Sequence, residues 1–199
     1  MSDPTGWFEQ LYVDAAQGAA TVPWDRPAPA PLLVDWAHGV SGRGRKALVV
    51  GCGLGRDAEF IAGLGFATTA FDIAPTAVRT ARERHPDSAV DYVVANLLDL
   101  PPDWTGGFDL VVESNTVQSL PRSLRPRAAA AVAVPVAPGG TLLVVAAKAV
   151  PGEDDGPPWP LTRLDLDLFT VGGLTVESVE AVPSTEGPWA ERWRAVFRR

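Results

Sequence analysis

Three glycines at alternate positions, Gly51, Gly53 and Gly55, separate the aliphatic run Ala47-Leu48-Val49-Val50 from an amphipathic stretch that begins at Arg56. A short continuous apolar run ending in glycine is what a strand buried on both faces looks like. The following stretch carries Ala58, Ile61, Ala62 and Leu64 at helical spacing and stops at Gly65, which predicts a helix over 55–65. Glycine between the two elements permits a tight turn and lets a ligand touch the backbone. The next apolar run, Ala67 to Phe71, ends at Asp72. A carboxylate at the end of a second strand, about 20 residues beyond such a turn, can accept hydrogen bonds from both hydroxyls of a ribose.

The alternation of strand and helix continues along the chain. Pro75 suits the first turn of a helix over 75–85, where its missing N–H costs nothing. Val90 to Leu98 predicts a third strand and Phe108 to Glu113 a fourth. An Ala-rich helix over about 125–137 follows, then the turn Pro138-Gly139-Gly140 and a fifth strand from Thr141 to Ala147. A helix over 162–172 precedes strands at Leu174 to Val182 and Glu191 to Arg199. In the last strand Trp193, Ala195 and Phe197 alternate with Arg192, Arg194 and Arg198, which reads as a solvated arginine face. This order implies an α/β fold, a Rossmann-like doubly wound sheet with right-handed crossovers. The 199 residues suit one domain, with 1–44 as an aromatic N-terminal cap and 45–199 as the core. The segment 151–160 reads as a loop.

Charge and composition narrow the partners. A net charge of −7 disfavours nucleic acid and anionic membranes, whose binding draws on clustered Lys and Arg. With Cys52 the only cysteine and His38 and His85 isolated, neither an internal disulfide nor a metal site is expected. The segment Met1-Ser2-Asp3-Pro4 shows no basic stretch leading into an apolar run, and the apolar stretches 128–134 and 142–147 fall well short of the roughly 18 residues of a span. The expectation is a cytoplasmic protein.

A dinucleotide fingerprint, Gly-x-Gly-x-x-Gly, would need glycine where this chain has Arg56. The turn Gly51-Cys52-Gly53-Leu54-Gly55 instead resembles motif I of the class I S-adenosylmethionine (SAM)-dependent methyltransferases. Further segments are similar to the thiopurine S-methyltransferase and tellurite-resistance branch of that superfamily. They are Trp24-Asp25-x-Pro27-x-Pro29, the turn with Arg56-Asp57, and Gly65-Phe66-x-Thr68-x-x-Phe71-Asp72-Ile73-Ala74-Pro75-x-Ala77. The resemblance implies a seven-stranded sheet in the order 3-2-1-4-5-7-6 with strand seven reversed, and an N-terminal lid.

It also implies roles. Gly51, Cys52, Gly53 and Gly55 would cradle the methionine part of SAM, with Arg56 and Asp57 opening the helix behind them. Asp72 would hold the ribose and Ile73 the adenine. Asn96 stands where relatives carry an acid toward the adenine amino group, and it keeps an acceptor oxygen; Leu97 and Leu98 flank the ring. Glu113, Ser114, Asn115 and Gln118 occupy motif IV, Glu113, Ser114 and Gln118 toward the cofactor and Asn115 toward the substrate. Trp24 would fold over the cofactor, and Trp7, Phe8, Tyr12 and Trp24 would wall the substrate. Methyl transfer from a sulfonium is an in-line displacement governed by alignment in a dry pocket. A phenol would call for a general base, and Glu113 is the carboxylate for that role. The expected function is SAM-dependent methylation of a small molecule at S, N or O. The alternatives are a catalytically silent SAM-binding regulator or partner subunit, and a nicotinamide oxidoreductase.

Overall fold

The computed structural model describes residues 5–152, 156–185 and 187–199. Two expectations reach outside them, the reading of residues 1–4 and the 153–155 part of the loop 151–160. The chain divides into two compact units, one running to Asp99 and one from Leu100 to Arg199.

The first unit contains α1 (Gly6–Ala16), α2 (Pro31–Trp36), β1 (Lys46–Val50), α3 (Arg56–Gly63), β2 (Ala67–Asp72), α4 (Pro75–Arg84) and β3 (Asp91–Val94). Ala47 to Val50 are all buried, as their unbroken apolar run predicts. β1 pairs in parallel with β2 from Lys46↔Ala67 to Val50↔Phe71, and β2 with β3 from Thr69↔Asp91 to Asp72↔Val94. That register delivers Val50, Phe71 and Asp72 to one end of the sheet, where the glycine turn begins. Pro75 opens α4 in the expected place. β3 is shorter than the predicted strand because Asn96 folds back on its own loop. Its Oδ1 accepts from Leu98 N–H at 2.9 Å and its carbonyl from Asp99 N–H at 2.9 Å.

The second unit contains β4 (Phe108–Ser114), α5 (Arg125–Ala133), β5 (Val136–Ala147), α6 (Arg163–Asp167), β6 (Thr175–Pro183) and β7 (Glu191–Arg198). The sheet runs β3-β2-β1-β4-β5-β7-β6, with β4 and β5 parallel and β7 antiparallel to both β5 and β6. Leu142 to Ala147 of β5 are buried. Each such Leu or Val contributes about 1.5–3 kcal/mol relative to exposure. Phe169, just past α6, meets Phe197 of β7 with ring centroids 5.8 Å apart.

Several expectations are corrected here. The turn Pro138-Gly139-Gly140 lies inside β5, which starts at Val136 and shifts register against β4 between Phe108 and Leu110. Gly139 N–H donates to the Arg199 carbonyl, and Arg199 N–H to the Gly140 carbonyl. The glycines thus act as an irregularity within a paired strand. The helix at 125–137 ends at Ala133. The helix at 162–172 is five residues long, opened by a capping box between Thr162 and Asp165. Arg192 is buried and does not share a solvated face with Arg198.

Candidate functional site

The glycine turn of the first unit uses the conformations that only glycine enters freely. Gly51, Gly53 and Gly55 have φ of 60°, 51° and 93°. Gly55 is the residue before α3, and its N–H closes the turn on the Cys52 carbonyl at 3.0 Å. Cys52 N–H donates to the Phe71 carbonyl at 2.8 Å, extending the β1–β2 ladder into the turn. Burial pushes the Cys52 thiol well above its ordinary pKa, reinforced by Asp72, so it is an unreactive spacer.

Asp72 clasps this turn. Its Oδ2 accepts from Gly53 N–H at 2.9 Å and its Oδ1 from Ala74 N–H at 3.0 Å. Burial raises the Asp72 pKa, with the backbone hydrogen bonds opposing the shift. Ile73 beside it is half-buried, Leu97 buried, Leu98 half-buried and Asn96 exposed. Arg56 opens α3 with its Nε buried and without a hydrogen-bond partner among the described residues.

The cap meets the turn at Gly53. Trp24 Nε1 donates to Tyr12 Oη at 2.7 Å. A Cβ added to Gly53 would lie 3.0 Å from that hydroxyl and 3.7 Å from the Trp24 ring. Trp7 stacks on Phe8 at 3.9 Å between centroids, and both approach Trp24 edge-on at 6.1 and 6.2 Å. The four predicted aromatics are therefore one cluster. Asp57 serves the cap: its Oδ1 accepts from Ala30 N–H at 2.8 Å, and Arg26 pairs with it at 3.3 Å.

In the second unit the turn after β4 gathers Glu113, Ser114, Asn115 and Gln118. Glu113 is fully buried, and its Oε1 accepts from Thr116 N–H at 2.6 Å and Val117 N–H at 3.0 Å. Its Oε2 is buried with no hydrogen-bond partner among the described residues. Burial pushes the Glu113 pKa up to about 7, against the lowering effects of those amides and of Arg192. Gln118 is buried, its Oε1 accepting from Ala147 N–H at 2.7 Å and its carbonyl from Trp159 N–H at 2.7 Å. Asn115 has φ of 65° and its Oδ1 accepts from the Arg192 guanidinium.

A family model described as a methyltransferase domain matches residues 47–140, the stretch from β1 through the β5 glycines. The ubiquinone biosynthesis O-methyltransferase of Xanthomonas campestris pv. campestris (strain B100) is 34% identical over 148 residues, covering 69% of this chain and 61% of that protein. The chain carries a match to the methyltransferase domain over residues 47–140. It thus spans about 61% of the length of that relative. A solved structure concerning the conversion of a disulfide bond into a thioacetal group during echinomycin biosynthesis superimposes with a TM-score of 0.75. The two are 27% identical, over 96% of this chain and 93% of that one. The 1,6-didemethyltoxoflavin-N1-methyltransferase of Burkholderia thailandensis, solved with bound 1,6-didemethyltoxoflavin and S-adenosylhomocysteine (SAH), shares the fold. It gives a TM-score of 0.71 at 18% identity, over 100% of this chain and 91% of that one.

Within this methyltransferase fold, several residues matter that the sequence did not single out. Glu9 of α1 binds Thr76 at the start of α4 through both backbone N–H, at 3.0 Å, and hydroxyl, at 2.6 Å. Asp25 pairs with both guanidinium nitrogens of Arg84 at 3.0 Å. Tyr92 donates to Glu59 at 2.5 Å, and its hydroxyl stands 2.4 Å from where a Gly55 Cβ would be. No spacing or motif in the sequence pairs these residues. Among the described residues no group of three or more His, Cys, Asp or Glu is arranged to hold a metal, and no helix is long and apolar enough to cross a membrane.

Proposed function

We propose that this chain is a SAM-dependent methyltransferase acting on a small molecule, with sulfur, nitrogen or oxygen as the accepting atom. The observation that carries the reading is the clasp of Asp72 on the glycine turn. Each Asp72 oxygen accepts from the backbone, and a carboxylate has acceptor capacity beyond these bonds for the ribose hydroxyls. The left-handed glycines carry no side chain themselves, and the space a Cβ would take at Gly53 and Gly55 is filled by Tyr12 with Trp24 and by Tyr92. These features fit an adenosyl sulfonium.

Bound SAM supplies an electrophilic methyl group. Gly51, Cys52, Gly53 and Gly55 hold its methionine part through the backbone, at the positively polarised start of α3 that Arg56 and Asp57 open. Asp72 takes the ribose. Ile73, Leu97 and Leu98 offer apolar contact to the adenine, and Asn96, whose oxygen has a second lone pair, accepts from the exocyclic amine. The resemblance assigns Glu113, Ser114 and Gln118 to the methionine part and Asn115 to the substrate. Gln118 has its oxygen committed to Ala147, which leaves its amide NH2 as the donor. Trp7, Phe8, Tyr12 and Trp24 form the lid that keeps water out and aligns the acceptor. The protein works as one domain, cap and core together, in the cytoplasm. Its acidic balance supports a small-molecule rather than nucleic-acid substrate.

The acceptor is the finer question. Segments shared with the thiopurine and tellurite-resistance branch support a thiol or heteroaromatic nitrogen. The ubiquinone-biosynthesis relatives are O-methyltransferases, which supports oxygen. SAH release measured with panels of thiols, heteroaromatic amines and phenols separates these. Full burial of Glu113 favours a second reading, a silent SAM binder, since it withdraws the one nominated base from a substrate. Tight SAH binding with no turnover on any panel would support that second reading. In calorimetry Asp72→Ala is expected to weaken SAH binding by about 1.5–3 kcal/mol; an unchanged dissociation constant would remove the ribose assignment.

A further inference from the structure

Asn115 is the single non-glycine among the described residues in the left-handed region. Asparagine tolerates this conformation better than most residues, and it persists where the surroundings enforce it, often at functional sites. Three contacts enforce it here. Its N–H donates to the Val145 carbonyl at 2.9 Å, its carbonyl accepts from Ser119 Oγ at 2.8 Å, and its Oδ1 accepts from Arg192. The first two are local to β5 and to the turn. The third reaches in from β7.

Arg192 is only 4% exposed and its guanidinium lies 5.8 Å from the centroid of the Trp189 ring. A buried guanidinium is costly unless its hydrogen bonds and a countercharge compensate. The neighbouring acid is Glu113, which Arg192 stabilises electrostatically and whose Oε1 grips the next two amides of the same turn, Thr116 and Val117. One side chain of β7 thus acts on the segment from Glu113 to Gln118 at two points, on Asn115 by a hydrogen bond and on Glu113 electrostatically.

We propose that Arg192 is a positioning residue for methyl transfer, locking the Ser114–Gln118 turn in a single arrangement through Asn115. Its effect on turnover rests on the reading of that turn as part of the methyltransferase site; its effect on the turn does not. Arginine suits the task better than lysine because its planar fork fixes the direction of the bond to Asn115.

The test compares Arg192→Met, Arg192→Lys and Asn115→Gly in the full chain. Asn115→Gly keeps the left-handed backbone while deleting the tie to Arg192, so it stays informative if Arg192→Met does not fold. Hydrogen exchange at the amides of Asn115, Thr116 and Val117 should quicken about tenfold in Arg192→Met and in Asn115→Gly. Arg192→Lys, which keeps the charge, should recover part of the protection. In the SAH-release assay kcat should fall about 10- to 100-fold in Arg192→Met, with the KM for SAM within about threefold of wild type and partial rescue by Arg192→Lys. Unchanged exchange in both turn-loosening variants overturns the proposal, as does quickened exchange with wild-type kcat. Wild-type protein that binds no SAH in calorimetry defeats the functional reading alone, because the exchange experiment still judges the lock.

Discussion

Glu113 holds two backbone amides with one oxygen and buries the other without a partner, so its carboxyl is easier to keep neutral than in the unfolded chain. Its pKa rises from 4.5 to about 7 on folding. Between those values the native state binds more protons than the unfolded state, and stability falls as pH rises. The stabilisation is complete below about pH 4.5 and is lost as the pH passes about 7, an effect of roughly 3 kcal/mol. Asp72, raised in the same direction by burial, adds to the fall. Glu113→Gln keeps an acceptor for the two amides and removes the titration. The urea midpoint of the wild type should therefore drop more steeply between pH 5 and 7 than that of Glu113→Gln, which keeps only the Asp72 contribution. An equal slope in the two proteins would place the titration elsewhere. At this scale the sequence was a partial guide. Asp72 and the three glycines carry their roles in residue type and spacing. Arg192 does not, because a period of two tells which residues share a strand face and says nothing of how deeply that face is covered.

The cap helix α1 is tied down at the level of whole elements. Glu9 reaches the first turn of α4, where the backbone N–H of Thr76 has no partner within the helix and the dipole favours a negative charge. Asp25 grips Arg84 at the far end of the same helix, and Ala30 and Arg26 grip Asp57 on α3. Glu9→Ala should cost about 1–2 kcal/mol. Amides of α1 should exchange faster in that variant while those of β1 stay protected; equal protection of α1 in both proteins would show that the remaining cap contacts hold the helix without Glu9. The order of elements was legible from the alternation of apolar runs and helical stretches, since each buried strand announces itself by composition. Element ends were less so. Gly139-Gly140 has the local chemistry of a turn, yet pairing with the C-terminal Arg199 draws both glycines into β5. Such non-local pairing leaves no mark within a short window of sequence. The same holds for α6, whose apolar residues Leu168 and Phe169 continue the helical pattern after the helix itself has stopped.

At the scale of the molecule, a ligand that binds only the folded chain must raise its stability by an amount set by concentration and affinity. With SAH at 100 times its dissociation constant the gain is about 2.7 kcal/mol. For a chain of 199 residues each kcal/mol moves the melting temperature by about 2–4 °C, so the midpoint should rise by about 5–11 °C. NADH should leave it in place, because Arg56 occupies the position where a dinucleotide turn needs glycine. The contrast tests the turn's chemistry and not merely its fold, since the Rossmann-like sheet is common to both kinds of binder. Asp72→Ala divides the matter further. If the carboxylate both clasps Gly53 and holds the ribose, the variant should melt lower without ligand and also gain less from the same SAH concentration. Stabilisation by NADH and none by SAH would transfer the glycine turn to a different cofactor, and with it every role assigned around Asp72.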